Sequence, residues 1–134
     1  MISVLLVSHS KQITDGLKSM IDQMINGSKA VLIVSLGGTE DGGLGTDPMK
    51  ILNAIKESAD SKWILIFCDI GSSIMSTTSA LDLLDDDELK AKVRCVDAPL
   101  VEGAFAAGVI ATTTDDINDI ISQVDDAKTQ KKFD

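Results

Sequence analysis

Short apolar runs recur along the chain and alternate with segments in which the apolar residues are spaced as on one face of a helix. Four runs rich in β-branched residues and leucine predict strands buried on both faces, at Ile2–Val7, Ala30–Ser35, Trp63–Cys68 and Val93–Val96. Strands that alternate with helices are typical of βαβ units. We therefore expect a three-layer α/β fold, in which a mainly parallel sheet of four to five strands carries helices on both faces.

Turn and capping residues predict where the helices begin and end. Asn26-Gly27 is expected to stop the first helix, and Asp47-Pro48 to start the second. Thr114 is expected to cap the last helix, and the acidic run Asp85–Glu88 to lie at a solvated helix end or loop. The spacing predicts these inward-facing residues: Ile13, Leu17, Met20, Ile21 and Met24; Met49, Leu52 and Ile55; Ile74, Thr78, Leu81 and Leu84; Ile117, Ile120, Ile121 and Val124.

The length of 134 residues is that of one ordinary domain, and neither repeats nor linkers divide the chain. We assign the domain to residues 1–126 and expect a frayed tail over residues 127–134. The segment Pro99–Ala111 is rich in alanine and glycine and predicts a closely packed helix. Its small residues, Ala104, Ala107, Gly108 and Ala111, suit either a dimer contact or the protein's own core.

The formal net charge is -9 at pH 7, so the chain repels nucleic-acid phosphates and anionic membrane surfaces. No signal peptide is recognised, and the longest uncharged apolar stretch, Gly103–Ala111, is far shorter than the ~20 residues that span a bilayer. We therefore expect a cytoplasmic protein with no nucleic-acid partner and no membrane insertion. Cys68 and Cys95 form no C-x-x-C pair and are expected to be two buried thiols.

The only histidine of the chain, His9, follows the first predicted strand, and Asp69 follows the third. Loops after parallel strands gather at one edge of the sheet, where open α/β sheets bind ligands. A neutral imidazole there is a competent nucleophile near neutral pH. A carboxylate bonded to one ring nitrogen fixes the tautomer and leaves the other nitrogen free to attack. The competing interpretation of Asp69 is a helix N-cap.

A glycine-rich loop, Leu36–Thr46, follows the second predicted strand and matches neither a Walker A loop nor a dinucleotide fingerprint. It is either a flexible surface loop or a wall of backbone amides, with Gly38 and Thr39 nearest a phosphate. Ser72 and Ser73, at the start of the next helix, are expected to add hydroxyl and amide donors. No metal site is predicted.

The single arginine, Arg94, lies at the fourth predicted strand, away from these loops. A histidine phosphatase or mutase clamps its phosphate with several cations. The absence of such a clamp favours a phosphoryl group that is held loosely and passed on.

Three motifs in order, Val7-Ser8-His9-Ser10, Gly37-Gly38-Thr39 and Asp69-Ile70-Gly71-Ser72, resemble the mannose-type IIA family of the bacterial phosphotransferase system. The stretch from Gly37 to Thr46, taken with the Asp69 turn, is more similar to one branch of it, the phosphotransferase (M) subunits of phosphoenolpyruvate-dependent dihydroxyacetone kinase. The resemblance covers residues 1–126.

The resemblance implies that His9 accepts a phosphoryl group from the carrier protein HPr and passes it to ADP held on the nucleotide-binding kinase subunit. That subunit then phosphorylates dihydroxyacetone on a third subunit. The resemblance further implies a homodimer, with no cofactor on this chain because the nucleotide and its magnesium belong to the partner subunit. Asp69 orients the imidazole, and Gly38, Thr39, Ser72 and Ser73 surround the phosphate.

Three alternatives remain at this point. A IIA component of a mannose-type sugar transporter uses the same His9 chemistry with another acceptor. A flavodoxin- or receiver-like signalling module would gather Glu40, Asp41 and Asp69 around a metal. A histidine phosphatase or mutase would hydrolyse or move a simple phosphomonoester.

Overall fold

The computed structural model describes residues 1–134 as four strands and six helices. The strands are β1 (Ile2–Val7), β2 (Val31–Ser35), β3 (Trp63–Cys68) and β4 (Val93–Cys95). The helices are α1 (Lys11–Ile25), α2 (Pro48–Glu57), α3 (Ser72–Asp82), α4 (Asp87–Ala91), α5 (Leu100–Ile110) and α6 (Ile117–Thr129). The predicted alternation of strands and helices is confirmed, and α4 is an addition that lies partly in the acidic run.

All four strands are parallel, in the order β2-β1-β3-β4, so the predicted parallel α/β fold is confirmed with four strands. In the register of β1 and β3, Val7 lies opposite Cys68. Ser8-His9 and Asp69 therefore leave the sheet side by side. This register, more than any other feature, positions the candidate site.

Two separate cores explain why the strands are almost uninterrupted runs of apolar residues. On one face Val4, Leu6 and Phe67 pack beneath α1, α5 and α6, and on the other Leu5 and Ile66 pack beneath α2, α3 and α4. Both faces are covered, so alternating residues of β1 and β3 are buried on opposite sides.

Several helix ends lie where the sequence predicts them. Asp47 caps α2 as predicted, by accepting a hydrogen bond from the Met49 amide, and Ser10, for which no cap was predicted, caps α1 by accepting from the Ile13 amide. Asn26 ends α1 in the left-handed region at φ 50°. The prediction of Thr114 as a cap is wrong: Asp116 caps α6, and the Thr114 hydroxyl accepts from the Asp116 amide instead.

The helix α6 runs to Thr129, so residues 127–129 belong to it and not to the tail. Lys128 reaches back to Asp97 at 2.9 Å, which ties the last turn of α6 to the loop after β4. Lys132 pairs with Glu102 in α5. None of the six helices combines the length and apolarity that crossing a bilayer requires.

The predicted inward face is displaced by one residue within α3, although Leu84, just beyond the helix, is buried as predicted. Ser73, Thr77 and Ala80 are buried, whereas Ile74 is exposed. The helix tolerates buried hydroxyls because Ser73 donates to the Ile70 carbonyl and Thr77 donates to the Ser73 carbonyl. The inward assignment is likewise wrong for Ile13, Met20, Met24 and Met49, which are exposed.

The small residues of α5 pack within the protein's own core. Ala104 and Ala107 are fully buried, and a Cβ atom added at Gly108 would lie 2.8 Å from Ile21. Packing in the protein's own core thus explains the small residues of α5 without a dimer contact. Cys68 is half-buried and Cys95 is exposed, so the prediction of two buried thiols is wrong for Cys95.

Candidate active site

The imidazole of His9 and the carboxylate of Asp69 form the centre of the site. Nδ1 of His9 lies 3.1 Å from Oδ1 and 3.2 Å from Oδ2 of Asp69. The His9 backbone amide also donates to Oδ2, at 3.1 Å. No side chain caps α3, whose N-cap residue is Gly71, so the N-cap interpretation of Asp69 does not hold. The structure places Asp69 where an orienting carboxylate has to be.

Ser8 is a further residue of the site, which the sequence analysis did not single out. Its side chain is fully buried, and its hydroxyl donates to Oδ2 of Asp69 at 2.9 Å. The Ser8 hydroxyl oxygen in turn accepts a hydrogen bond from the Ser10 amide at 3.1 Å. A polar residue at the end of an otherwise apolar strand was the available signal, because a buried hydroxyl requires a partner.

These contacts keep Asp69 ionised. Burial alone raises the pKa of Asp69, but hydrogen bonds from the His9 amide, the Ser8 hydroxyl and the His9 ring outweigh it and lower the pKa to about 2. An ionised carboxylate accepts from Nδ1–H of a neutral imidazole. The proton is therefore assigned to Nδ1, and Nε2 carries the lone pair that can act as a nucleophile.

The hydroxyl of Ser72 lies 2.7 Å from Nε2 of His9. Because Nε2 has no proton in this tautomer, the Ser72 hydroxyl donates to it. Ser72 opens α3, and its predecessor Gly71 has φ 49° and provides no side-chain cap. The amides of Ser73 and Ile74 donate to the Ile70 and Gly71 carbonyls, so it is the Ser72 hydroxyl that brings the N-terminus of α3 to Nε2, and a helix N-terminus favours a nearby anion.

The glycine loop holds the backbone of His9 and does not form a wall of open amides. The Gly38 amide donates to the Ser8 carbonyl at 3.0 Å, and the Gly45 amide donates to the His9 carbonyl at 2.9 Å. The amide of Thr39 donates to Gly43 at 3.0 Å. This corrects the expectation that the amides of Gly38 and Thr39 face a phosphate, since both are hydrogen-bonded within the protein.

Ser73 and the Thr39 side chain also have other partners. Ser73 is buried and donates to the Ile70 carbonyl, so it supports the start of α3 and does not reach the imidazole. The Thr39 hydroxyl donates to Asp41 within the loop. Of the four residues predicted around the phosphate, only Ser72 hydrogen-bonds to the His9 ring.

Two other loop residues tie the site together. The Gly37 amide donates to the Thr14 hydroxyl at 2.9 Å, and a Cβ atom at Gly37 would overlap the Ser10 carbonyl. The Thr46 hydroxyl lies 2.6 Å from that of Ser76, which links the glycine loop to α3. The glycine loop, α1 and α3 therefore meet around one histidine.

No cation contacts the imidazole. Arg94 stacks over the Trp63 ring at 4.6 Å, Lys11 pairs with Asp15, and Lys50 donates to the Gly37 carbonyl. The acids required by a receiver-like module do not gather: no group of three His, Cys, Asp or Glu side chains is arranged to hold a metal ion.

Residues 3–121 match the EIIA-man family, described as the PTS system fructose IIA component. The chain is 53% identical over 109 residues to the phosphoryl donor subunit DhaM of dihydroxyacetone kinase 2 from Listeria innocua, covering 81% of this chain and 85% of that protein. It is 32% identical over 108 residues to the phosphotransferase subunit DhaM from Lactococcus lactis, covering 80% of each.

Some relatives are much longer. The Escherichia coli DhaM is 36% identical over 122 residues, which are 90% of this chain and 26% of that protein. The match to DhaM from Providencia stuartii, 38% identical, covers 98% of this chain and 28% of that protein. This chain thus spans about a quarter of those two relatives.

Two solved structures share the fold. A crystal structure of a protein of unknown function has a TM-score of 0.89 and 46% identity, covering 99% of this chain and 98% of that one. The EIIA component from Streptococcus agalactiae has a TM-score of 0.65 at 17% identity, covering 96% and 92% of the two chains. By the match over residues 3–121 and by its curated DhaM relatives, the chain belongs to the EIIA-man family of the phosphotransferase system.

Proposed function

We propose that this protein is the phosphoryl relay of a phosphoenolpyruvate-dependent dihydroxyacetone kinase. His9 takes a phosphoryl group from HPr and passes it to ADP held on the nucleotide-binding kinase subunit. The observation that carries the proposal is the state of the imidazole: Nδ1 lies 3.1 Å from Asp69, and Nε2 lies 2.7 Å from the hydroxyl of Ser72, the first residue of α3. The names of its relatives, as phosphoryl donor subunits, support the same role.

The chemistry requires two in-line transfers at Nε2. In the first, the Nε2 lone pair attacks phosphorus, the N–P bond forms, and the bond to the donor's nitrogen breaks with its electron pair returning to the donor. The Nδ1 proton stays in its hydrogen bond to Asp69, which stabilises the positive charge gained by the ring. In the second, an oxygen of the ADP β-phosphate attacks phosphorus, the O–P bond forms, and the N–P bond breaks with its electron pair returning to Nε2.

The surface around His9 suits a macromolecular partner better than a small substrate. None of the three main cavities of the molecule has His9 in its wall. Small-molecule sites are usually concave and bury most of their ligand. The lack of a contacting cation is likewise consistent with a group that is transferred onward and not retained.

The proposal assigns the other components to partner subunits in the cytoplasm. ADP or ATP with its magnesium resides on the nucleotide-binding subunit, and dihydroxyacetone binds to a third subunit. This chain itself carries no cofactor.

We also propose a homodimer. The outward face of α5 exposes Val101 and Val109, Glu102 is the only charged residue of this helix, and a helix this apolar is usually covered. Light scattering at known protein concentration tests this: the mass of two chains is expected, and the mass of one chain at tens of micromolar would contradict it.

The decisive experiment is mass spectrometry after incubation with phosphoenolpyruvate, enzyme I and HPr. We expect one acid-labile phosphate on His9, and none in a His9→Ala variant that remains folded. A chase then identifies the acceptor. Loss of the phosphate to the ADP-loaded kinase subunit supports the kinase relay, whereas loss only to a transporter IIB protein identifies a sugar-transport component. Normal labelling of His9→Ala would overturn the assignment.

A further inference from the structure

Three large apolar side chains are unusually exposed beside His9. Leu44 is 83% exposed, Ile70 is 73% and Met75 is 72%. Apart from Phe133 next to the C-terminus, at 88%, no other large apolar side chain of the chain is as exposed. Single exposed apolar residues are ordinary, but a group of them around a reactive side chain marks a contact surface.

Each of the three lies near a residue that hydrogen-bonds to His9, namely Gly45, Asp69 or Ser72. Leu44 precedes Gly45, whose amide donates to the His9 carbonyl at 2.9 Å. Ile70 stands between Asp69 and the N-cap residue Gly71. Met75 lies one turn after Ser72 on the same face of α3, and the Ser72 hydroxyl contacts Nε2 at 2.7 Å. We call Leu44, Ile70 and Met75 the apolar collar.

The charge next to the collar is negative. Glu40, Asp41 and Asp47 belong to the segment that carries Leu44, and none of them is in an ion pair. The lysines of the same region are engaged, because Lys11 pairs with Asp15 and Lys50 donates to the Gly37 carbonyl. A basic surface is therefore attracted to this edge of the sheet, and an acidic surface is repelled.

We propose that the apolar collar is the docking surface for the phosphoryl donor protein, whose docking face has exposed apolar side chains at its centre and basic residues around them. Such a face would bury the three collar residues and exclude water from Nε2 as the phosphoryl group moves. The basic residues would supply the positive charge that this chain does not place at His9. This inference rests on the proposed function, because it requires that a protein delivers the phosphoryl group.

The test is a double variant, Leu44→Gln/Met75→Gln, which removes the apolar contact without adding charge. The matched control is Met24→Gln/Leu83→Gln, since these residues are 58% and 54% exposed and lie where α1 and α3 end, at the opposite edge of the sheet. With phosphorylated HPr as donor, we expect kcat/KM for labelling of His9 to fall about 10–100-fold in the collar variant and to stay unchanged in the control. Raising the salt concentration should slow the wild-type reaction.

Potassium phosphoramidate, a small chemical donor, separates docking from chemistry. It should label His9 equally in the wild type and in the collar variant, because it needs no docking surface. Equal rates with phosphorylated HPr in both variants would overturn the docking proposal alone, and a rate independent of salt would overturn the basic partner. If phosphoramidate labels the wild type but phosphorylated HPr does not, the proposed donor is wrong and the docking proposal falls with it.

Discussion

The hydroxyl of Ser8 donates to Oδ2 of Asp69 at 2.9 Å, from a side chain with no exposure to solvent. The imidazole Nδ1 is 3.1 Å from the other oxygen of that carboxylate. One buried serine therefore fixes the rotation of the carboxylate, and the carboxylate fixes the tautomer of the histidine. Ser8 acts on the nucleophile through Asp69, as a positioning residue.

Ser8→Ala should remove the hydrogen bond from Ser8 to the Asp69 carboxylate, so that the carboxylate is less fixed and its hydrogen bond to Nδ1 of His9 is weakened. We expect phosphoryl transfer to His9 to slow about 10-fold, and the ¹⁵N shifts of the ring to report a mixture of tautomers. Ser3→Ala is the matched control, because Ser3 is a buried serine of the same strand whose hydroxyl pairs with Ser61 at 2.6 Å. If both variants keep the wild-type tautomer, Ser8 is structural only.

Asp69→Asn should change how the free energy of unfolding depends on pH. The pKa of Asp69 is lowered to about 2 in the folded protein, against ~3.9 in an unfolded chain, so the carboxylate stabilises the fold above about pH 4. That contribution is lost as the pH falls towards 2. Urea unfolding of both proteins should show a free-energy gap at pH 7 that shrinks steadily below about pH 4. A gap independent of pH would show that the charge of Asp69 does not stabilise the fold.

Gly37→Ala should destabilise the protein, because the added Cβ atom would overlap the Ser10 carbonyl and lie 2.5 Å from the Thr14 hydroxyl. The Ser10 carbonyl belongs to the backbone and cannot move aside as a flexible side chain would, so we expect a loss of about 2 kcal/mol or more. Gly16→Ala is the control: the site is open, and alanine in a helix should add about 0.5–1 kcal/mol. Thermal unfolding should move the two variants in opposite directions.

Ser72→Ala should remove the hydroxyl that donates to Nε2 and that would turn to a phosphoryl oxygen after transfer. We expect the rate of phosphoryl transfer to His9 to fall about 10-fold with the fold unchanged. Mass spectrometry of samples quenched at successive times measures this rate. Ser79→Ala, an exposed serine of the same helix, should have no effect. Equal transfer in both variants would mean that the Ser72 contact belongs only to the resting protein.

The pairing of His9 with Asp69 was predictable, because both residues follow buried strands that parallel topology places side by side. The partners of the loop amides were not. Gly38 and Gly45 donate to the carbonyls of Ser8 and His9, and these contacts depend on how the loop folds back, which composition does not encode. The inward face of α3 was misassigned because Ser73 and Thr77 satisfy their hydroxyls within the helix, so apolar spacing failed there.

The start of α3, which has no capping side chain, links phosphorylation of His9 to the stability of the first turn of this helix. α1, α2, α4 and α6 each begin with a capping side chain, whereas α3, which follows Gly71, and α5, which follows Pro99, have none. A phosphoryl group on Nε2 would lie beside Ser72 and would act as an anionic cap for α3. By thermodynamic linkage, if phosphorylation stabilises the first turn of α3, then whatever stabilises that turn also shifts the phosphorylation equilibrium towards phosphohistidine. Amide hydrogen exchange in the first turn of α3 should then slow when His9 is phosphorylated and return to its original rate when the phosphoryl group leaves. The exchange rate of that turn would therefore report whether His9 carries a phosphoryl group.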